Sequence, residues 1–256
     1  MTSKGCLRLG IGQVDVWLTS LRDIGIDLEL AYLQLLSRPE RAKWQRFVAQ
    51  NARLQYLASR ALVRTTLSRY AEVPENAWEF ATNAYGRPYI SHPWELRHIR
   101  FNLSNTTGLV VCAVTQDCDI GIDVESITRA LDFDELAPTV FAPAELADVR
   151  GCRAEERRER FLSYWTLKES YMKARGMGLS LPPDSFWFDL KGSSPFLHVV
   201  DRCADGPKRW RFYQYVPTVE HRMAVATAAP STMQPSIHLH WTMPTPQTWP
   251  RPCPEP

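Results

Sequence analysis

Several things are missing from the 256 residues, and each absence removes a class. No apolar run reaches the roughly 18 residues that a membrane-spanning helix needs, so no membrane partner is expected. The first residues, Met-Thr-Ser-Lys-Gly-Cys, lack the apolar stretch of a secretory leader. Six cysteines, at 6, 112, 118, 152, 203 and 253, contain no C-x-x-C pair and are too few for a disulfide scaffold. They read as thiols of a reducing cytoplasm. Charge of one sign is nearly absent too: 30 Lys+Arg against 28 Asp+Glu leave +2, which gives no case for nucleic acid. There is no G-x-x-x-x-G-K-[ST] phosphate loop, no G-x-S-x-G elbow and no H-E-x-x-H. Gly10-Ile11-Gly12 lacks the third glycine of a dinucleotide fingerprint and leads into a strand.

What is present reads as one large domain or two small ones, at about 150 residues each. Val14–Leu18 patterns as a strand, 27–36 as a short helix, and 39–71 as a strongly helical stretch. Tyr85-Gly86-Arg87-Pro88 is a turn entering a short strand. Ile99–Leu103 and Leu109–Thr115 flank a five-residue hairpin loop, Ser104–Gly108. Asp119–Glu125 is a further strand, followed by helices at 143–150 and about 154–175, the second ended by Gly176. Strands at 186–190, 196–200, 209–216 and 222–228 complete the pattern. Hairpins and blocks of helices favour an α+β fold with mainly antiparallel sheets. Phe47…Arg60 loosely echoes Phe161…Glu169, a hint of two similar lobes facing a cleft. The expected units are 1–118, 119–229 and a tail, 230–256, holding eight of the 19 prolines. A segment this rich in proline is expected to be extended or disordered and to join no sheet.

Three features can carry chemistry. Alternation along Asp119–Glu125 turns Ile120, Ile122 and Val124 into a core and puts Asp119, Asp123 and Glu125 on the opposite face. Gly121 is expected to leave space between them. Carboxylates this close repel unless a cation lies between, and Mg²⁺, which takes carboxylate, phosphate and water oxygens, suits them; a solvated sheet edge is the plainer reading. On the 154–175 helix, Trp165, Glu169 and Lys173 share a face at i, i+4 and i+8, spaced for a surface ion pair or for a metal ligand beside a phosphate contact. Third, Arg38–Arg69 holds eight Lys/Arg and one acid, Glu40, with Arg46, Arg53, Arg60 and Arg64 in one helical stripe. That stripe is either a solvated face or a contact for an anionic partner. His238-Leu239-His240 stands beside the proline-rich tail without companion ligands and reads as structural.

Gly121-Ile122-Asp123-Val124-Glu125, followed some 40 residues on by Trp165-Thr166-Leu167-Lys168-Glu169-Ser170-Tyr171-Met172-Lys173-Ala174, resembles the paired signature of the 4′-phosphopantetheinyl transferases. The upstream Tyr85–Pro88 and Phe101–Ser104 segments resemble the larger, surfactin-synthetase-activating type, and the likeness spans about residues 10–230. It implies a monomeric, pseudo-twofold α+β fold. Coenzyme A would bind between the lobes, and its phosphopantetheine arm would pass to a serine of an apo acyl or peptidyl carrier protein, releasing adenosine 3′,5′-bisphosphate. By motif position the resemblance implies Asp123, Glu125 and Glu169 as Mg²⁺ ligands, and Glu169, Lys173 and Asp123 as the catalytic set. Lys43, Arg53, Arg87, Pro88, Ser104, Asn105 and Lys173 would contact the coenzyme. Many members have histidine after this serine; Asn105 can donate a hydrogen bond but cannot take a proton. Two other functions fit the same residues: a Mg²⁺-dependent enzyme acting on a nucleotide pyrophosphate, and a non-catalytic module docking an acidic protein.

Overall fold

One order of elements occurs twice along the chain. The computed structural model describes residues 6–130, 132–200, 206–230 and 232–246. In the first run β1 (Gln13–Ser20) leads to α1 (Ile26–Leu35), α2 (Arg38–Arg46) and α3 (Gln50–Leu67). A hairpin, β2 (Glu79–Thr82) and β3 (Pro88–His92), then precedes β4 (Ile99–Thr106) and β5 (Leu109–Gln116). The second run has β6 (Ile120–Ser126), α4 (Phe133–Val140), α5 (Pro143–Gly151) and α6 (Ala154–Arg175). It continues with the hairpin β7 (Phe186–Asp189) and β8 (Phe196–Val199), then β9 (Trp210–Tyr215) and β10 (His221–Ala228). The sheets repeat as well, in the orders β1-β5-β4 and β6-β10-β9, all antiparallel. The faint echo between Phe47–Arg60 and Phe161–Glu169 falls on α3 and α6, which hold the same place in the two orders.

Alternation decides the layers. Val14, Val16, Leu18, Val111 and Ala113 of one sheet meet Ile120, Ile122, Val124, Met223 and Val225 of the other in a central core. The opposite sheet faces pack on their own helices, through Trp17, Leu57, Ala61 and Leu62 on one side and Phe161, Leu167, Tyr171 and Phe212 on the other. Each Val, Leu, Ile, Met or Phe among them contributes about 1.5–3 kcal/mol on burial, the alanines less.

Between the sheets, β6 meets β4 through side chains rather than through a backbone ladder. Asn102 Oδ1, Ser104 Oγ and Thr106 Oγ1 accept from the amides of Ile122, Val124 and Ser126 at 2.9, 3.3 and 3.1 Å. Alternate residues of β4 thus satisfy the donors of β6, which a buried edge would otherwise leave unpaired.

Three expectations are corrected, and one helix is added. The stretch 39–71 is two helices, because Phe47 and Ala49 are extended (ψ 127° and 129°) and Arg53 Nε bonds the Phe47 carbonyl at 2.6 Å. A Ser37–Glu40 capping box starts the first of them. Ser104–Gly108 is not a five-residue loop: the ladder continues through Thr106↔Leu109, leaving Thr107 and Gly108 (φ 85°) as the turn. A helix at Phe133–Val140, capped by Asp132, was not foreseen because Pro138 lies inside it. Finally, the tail does join a sheet: β11 (Ser236–Trp241) runs parallel to β1, pairing Gln13↔Ser236 through Leu18↔Trp241. Eight proline-free residues separate Pro235 from Pro244, enough for a strand that keeps its amides. Pro250, Pro252, Pro254 and Pro256 lie outside the described residues.

Candidate functional site

Two features of the chain bring α6 onto β6. A Cβ at Gly121 would stand 2.0 Å from the Ser170 carbonyl oxygen and 2.5 Å from the Ala174 amide nitrogen. The glycine therefore admits the backbone of α6, and the space expected between carboxylates is filled by that helix. Gly176, at φ +62°, ends α6 in the left-handed conformation, with its amide bonded to the carbonyls of Met172 and Lys173.

This close approach sets Glu169 and Lys173 against Asp123 and Glu125. Lys173 Nζ lies 2.6 Å from Asp123 Oδ1 and 3.1 Å from Ser104 Oγ, which itself donates to Asp123 at 2.9 Å. Asp123 Oδ2 is buried and has no hydrogen-bond partner. Glu125 is held on both oxygens: Arg129 and Trp165 Nε1 donate to Oε1 at 2.5 and 3.2 Å, and Thr106 Oγ1 to Oε2 at 3.4 Å. Burial, then the charges of Asp123 and Glu125, raise the Glu169 carboxyl from 4.5 to about 7 against the pull of Lys173. Burial and Asp123 likewise push Glu125 up.

Such crowding is what a divalent cation relieves, and the orphaned Asp123 oxygen is a ligand atom in waiting. The residues therefore fit Mg²⁺, which uses one or two carboxylates with substrate phosphate and water. They do not form a closed cage, since Asp123, Glu125 and Glu169 do not bring one oxygen each within 4.8 Å of one another.

A cleft of about 400 Å³ opens beside this cluster. Glu169, Met172 and Lys173 of α6 form one wall, Asn102, Leu103 and Asn105 of β4 another, and Tyr85–Pro88, Ser59 and Arg60 of α3, and Gly176 and Gly178 the rest. Of the residues expected there, Arg87, Pro88, Asn105, Glu169 and Lys173 line it. Ser104 stands behind Asp123, buried. Arg87 turns its guanidinium to the second run, donating to the carbonyls of Ala174 and Ile120 at 2.6 and 3.3 Å, and burial lowers its pKa.

The basic stripe is largely structural. Arg46 is on α2, apart from Arg53, Arg60 and Arg64 on α3. Arg64 is buried, donating to Glu40 and to the carbonyls of Glu75 and Trp78. Arg53 packs over Trp44 and Lys43 over Tyr56, and neither lines the cleft. Asp119 is paired with Arg87 and Arg209 and stands outside the carboxylate cluster. Arg60, expected as part of the stripe but not assigned to the coenzyme, lines the cleft, and Arg129, the partner of Glu125, was missed, its only signal being the four-residue spacing across a strand end.

Fold and site together place crowded carboxylates and a lysine beside a cleft at the seam of two similar halves. The profile described as "4′-phosphopantetheinyl transferase superfamily" matches residues 119–228, and that described as "4′-phosphopantetheinyl transferase, N-terminal" matches residues 27–117. A 4′-phosphopantetheinyl transferase of Bacillus subtilis is 31% identical over 76% of this chain and 83% of its own length. Sfp of Bacillus subtilis strain 168 is 33% identical over 60% of this chain and 66% of its own, and HetI of Nostoc 33% over 57% and 61%. The chain belongs to the 4′-phosphopantetheinyl transferase superfamily, and it is a transferase of that group. No helix among the described residues is long and apolar enough to cross a membrane, and Cys6, Cys112, Cys118 and Cys152 are free thiols.

Proposed function

We propose that this transferase takes the phosphopantetheine arm from coenzyme A, in the cleft between lobes 1–118 and 119–229, and delivers it to a serine of an acyl or peptidyl carrier protein, acting as a cytoplasmic monomer. The observation that carries the reading is the crowding at the cleft wall, where burial, then the charges of Asp123 and Glu125, push Glu169 to about 7 and Lys173 bonds Asp123.

Asp123, Glu125 and Glu169 are the residues that would hold Mg²⁺, which when bound supplies charge neutralisation for the pyrophosphate. Phosphoryl transfer asks for positioning and electrostatic stabilisation more than for covalent help from the enzyme. Lys173 provides a compact positive charge at the cleft for a phosphate oxygen. Arg60 and Arg87 flank the opening for the 3′-phosphate, with Pro88 against the base and Asn105 donating its amide. The serine oxygen forms its new bond to the β-phosphorus while the bond to the bridging oxygen breaks, and adenosine 3′,5′-bisphosphate leaves. Glu169, ionising near neutral pH, suits uptake of the serine proton. Asn105 stands where many members carry a histidine and cannot take a proton, so in this reading proton removal falls to the carboxylates.

Intact-protein mass spectrometry of an apo carrier protein, incubated with the enzyme, coenzyme A and Mg²⁺, tests this. The expected result is a gain of one phosphopantetheine mass, abolished by EDTA and by Asp123→Ala or Glu169→Ala. No gain with fatty-acid, polyketide and peptidyl carriers alike would overturn it.

A further inference from the structure

We propose that Asp15, His238 and His240 form a second metal site, for a divalent transition metal of the zinc class, assembled by the docking of β11 on β1. The parallel register sets Asp15 opposite His238 and Trp17 opposite His240. Residues two apart share a face, so the carboxylate and both imidazoles come to one side of the sheet. Asp15 Oδ1 lies 3.6 Å from His238 Nδ1 and 3.5 Å from His240 Nε2, and all three atoms are within 4.8 Å of one another. Those separations are long for hydrogen bonds. They approach the edge of a tetrahedron around zinc, about 3.3 Å for bonds of about 2.0–2.1 Å.

The donors are held in place before any ion arrives. The Asp15 side chain is 4% exposed, with Tyr70 Oη donating to Oδ2 at 2.5 Å and Gln13 Nε2 to Oδ1 at 2.8 Å. Tyr70 in turn accepts from Trp17 Nε1 at 2.8 Å. The His240 ring stacks on Trp17, with centroids 4.5 Å apart and planes at 22°, and its Nε2 is buried without a hydrogen-bond partner. Ligating carboxylates fixed by outer hydrogen bonds are the usual support of a metal centre. The His238 side chain is 49% exposed, which leaves a side open for water as a fourth ligand.

Two imidazoles and one carboxylate favour zinc and its neighbours over Mg²⁺, which takes oxygen alone. None of the three residues lines the cleft, so the site does not depend on the transfer reaction. Its effect is mechanical: an ion bound there ties the C-terminal strand to the sheet of the first lobe.

The test uses the full chain, stripped with chelator and held in saturating Mg²⁺. Zinc uptake is read by calorimetry and elemental analysis, and Co²⁺ by its visible absorption. Wild type should take up one zinc, give the intense visible bands of a tetrahedral cobalt site, and melt higher with zinc. His238→Gln and His240→Gln should bind at least tenfold more weakly and show no such bands or melting shift, whereas Asp123→Asn should keep all three responses. Because His238 is half-exposed, His238→Gln carries the comparison should His240→Gln lose the Trp17 stack and unfold. Absence of zinc uptake by wild type, equal uptake by His238→Gln, or loss in Asp123→Asn with retention in His238→Gln would each overturn the proposal.

Discussion

Lys173 Nζ and Asp123 Oδ1 are 2.6 Å apart, one on α6 and the other on β6, and the second oxygen of the same carboxylate is buried without a partner. The near oxygen of this aspartate thus orients the lysine, and under the proposed function the far oxygen would take the metal. Asp123→Asn keeps the shape and removes the charge. Transfer activity should fall at least about a hundredfold, in line with the several kcal/mol a metal contributes at phosphate. Steady-state assays across a Mg²⁺ titration check this, with circular dichroism showing an intact fold; activity near wild type would remove Asp123 from the metal set.

Glu169 sets a pH window. Its folded-state pKa is raised from 4.5 to about 7, so the neutral carboxyl favours the folded protein, and that stability is lost as pH rises through about 7. Glu125, shifted the same way, adds to the trend. The metal-free protein should therefore lose melting temperature between about pH 4.5 and 7.5 through these groups. Mg²⁺ affinity should rise over the same interval, with proton release on binding. In Glu169→Gln both slopes should flatten, as read by melting curves and calorimetry over pH. An unchanged slope in that variant would place the titration elsewhere.

Gly121→Ala should be among the most damaging single changes. The added methyl would meet the Ser170 carbonyl at 2.0 Å, a backbone atom that cannot turn aside. Forcing α6 away from β6 should cost about 3 kcal/mol or more, and it would separate Glu169 and Lys173 from Asp123. Urea unfolding would report the first effect and Mg²⁺ titration the second.

Lys168 and Glu145 form an ion pair 2.7 Å apart with side chains 2% and 0% exposed. Lys168 also bonds the Phe186 carbonyl, and Glu145 accepts the amides of Ala142 and Phe188. Lys168→Met leaves a buried carboxylate without its cation and should cost about 3–5 kcal/mol in chemical unfolding. Glu145→Gln keeps only one of the two acceptor oxygens that the amides of Ala142 and Phe188 use and leaves the buried Lys168 without its anion, so it should cost a comparable amount. A negligible cost for both variants would show that this buried pair does not hold α5 to α6 and β7.

Local periodicity alone determined much of the site. Period two put Asp123 and Glu125 on one face of a strand, period 3.6 put Trp165, Glu169 and Lys173 on one face of a helix, and Gly176 marked that helix's end. These regularities state which way side chains face but not what they meet. Only packing between distant segments decided that Gly121 admits α6, that Arg53 bonds the Phe47 carbonyl and Arg64 bonds Glu40 and two carbonyls, and that Ser104 stands behind Asp123 in a strand. It also decided that 236–241 would find β1, because a sheet edge accepts any strand whose amides and faces match, however far along the chain it lies. His238 and His240 had no companion in sequence; Asp15, more than 220 residues earlier, became one through that pairing.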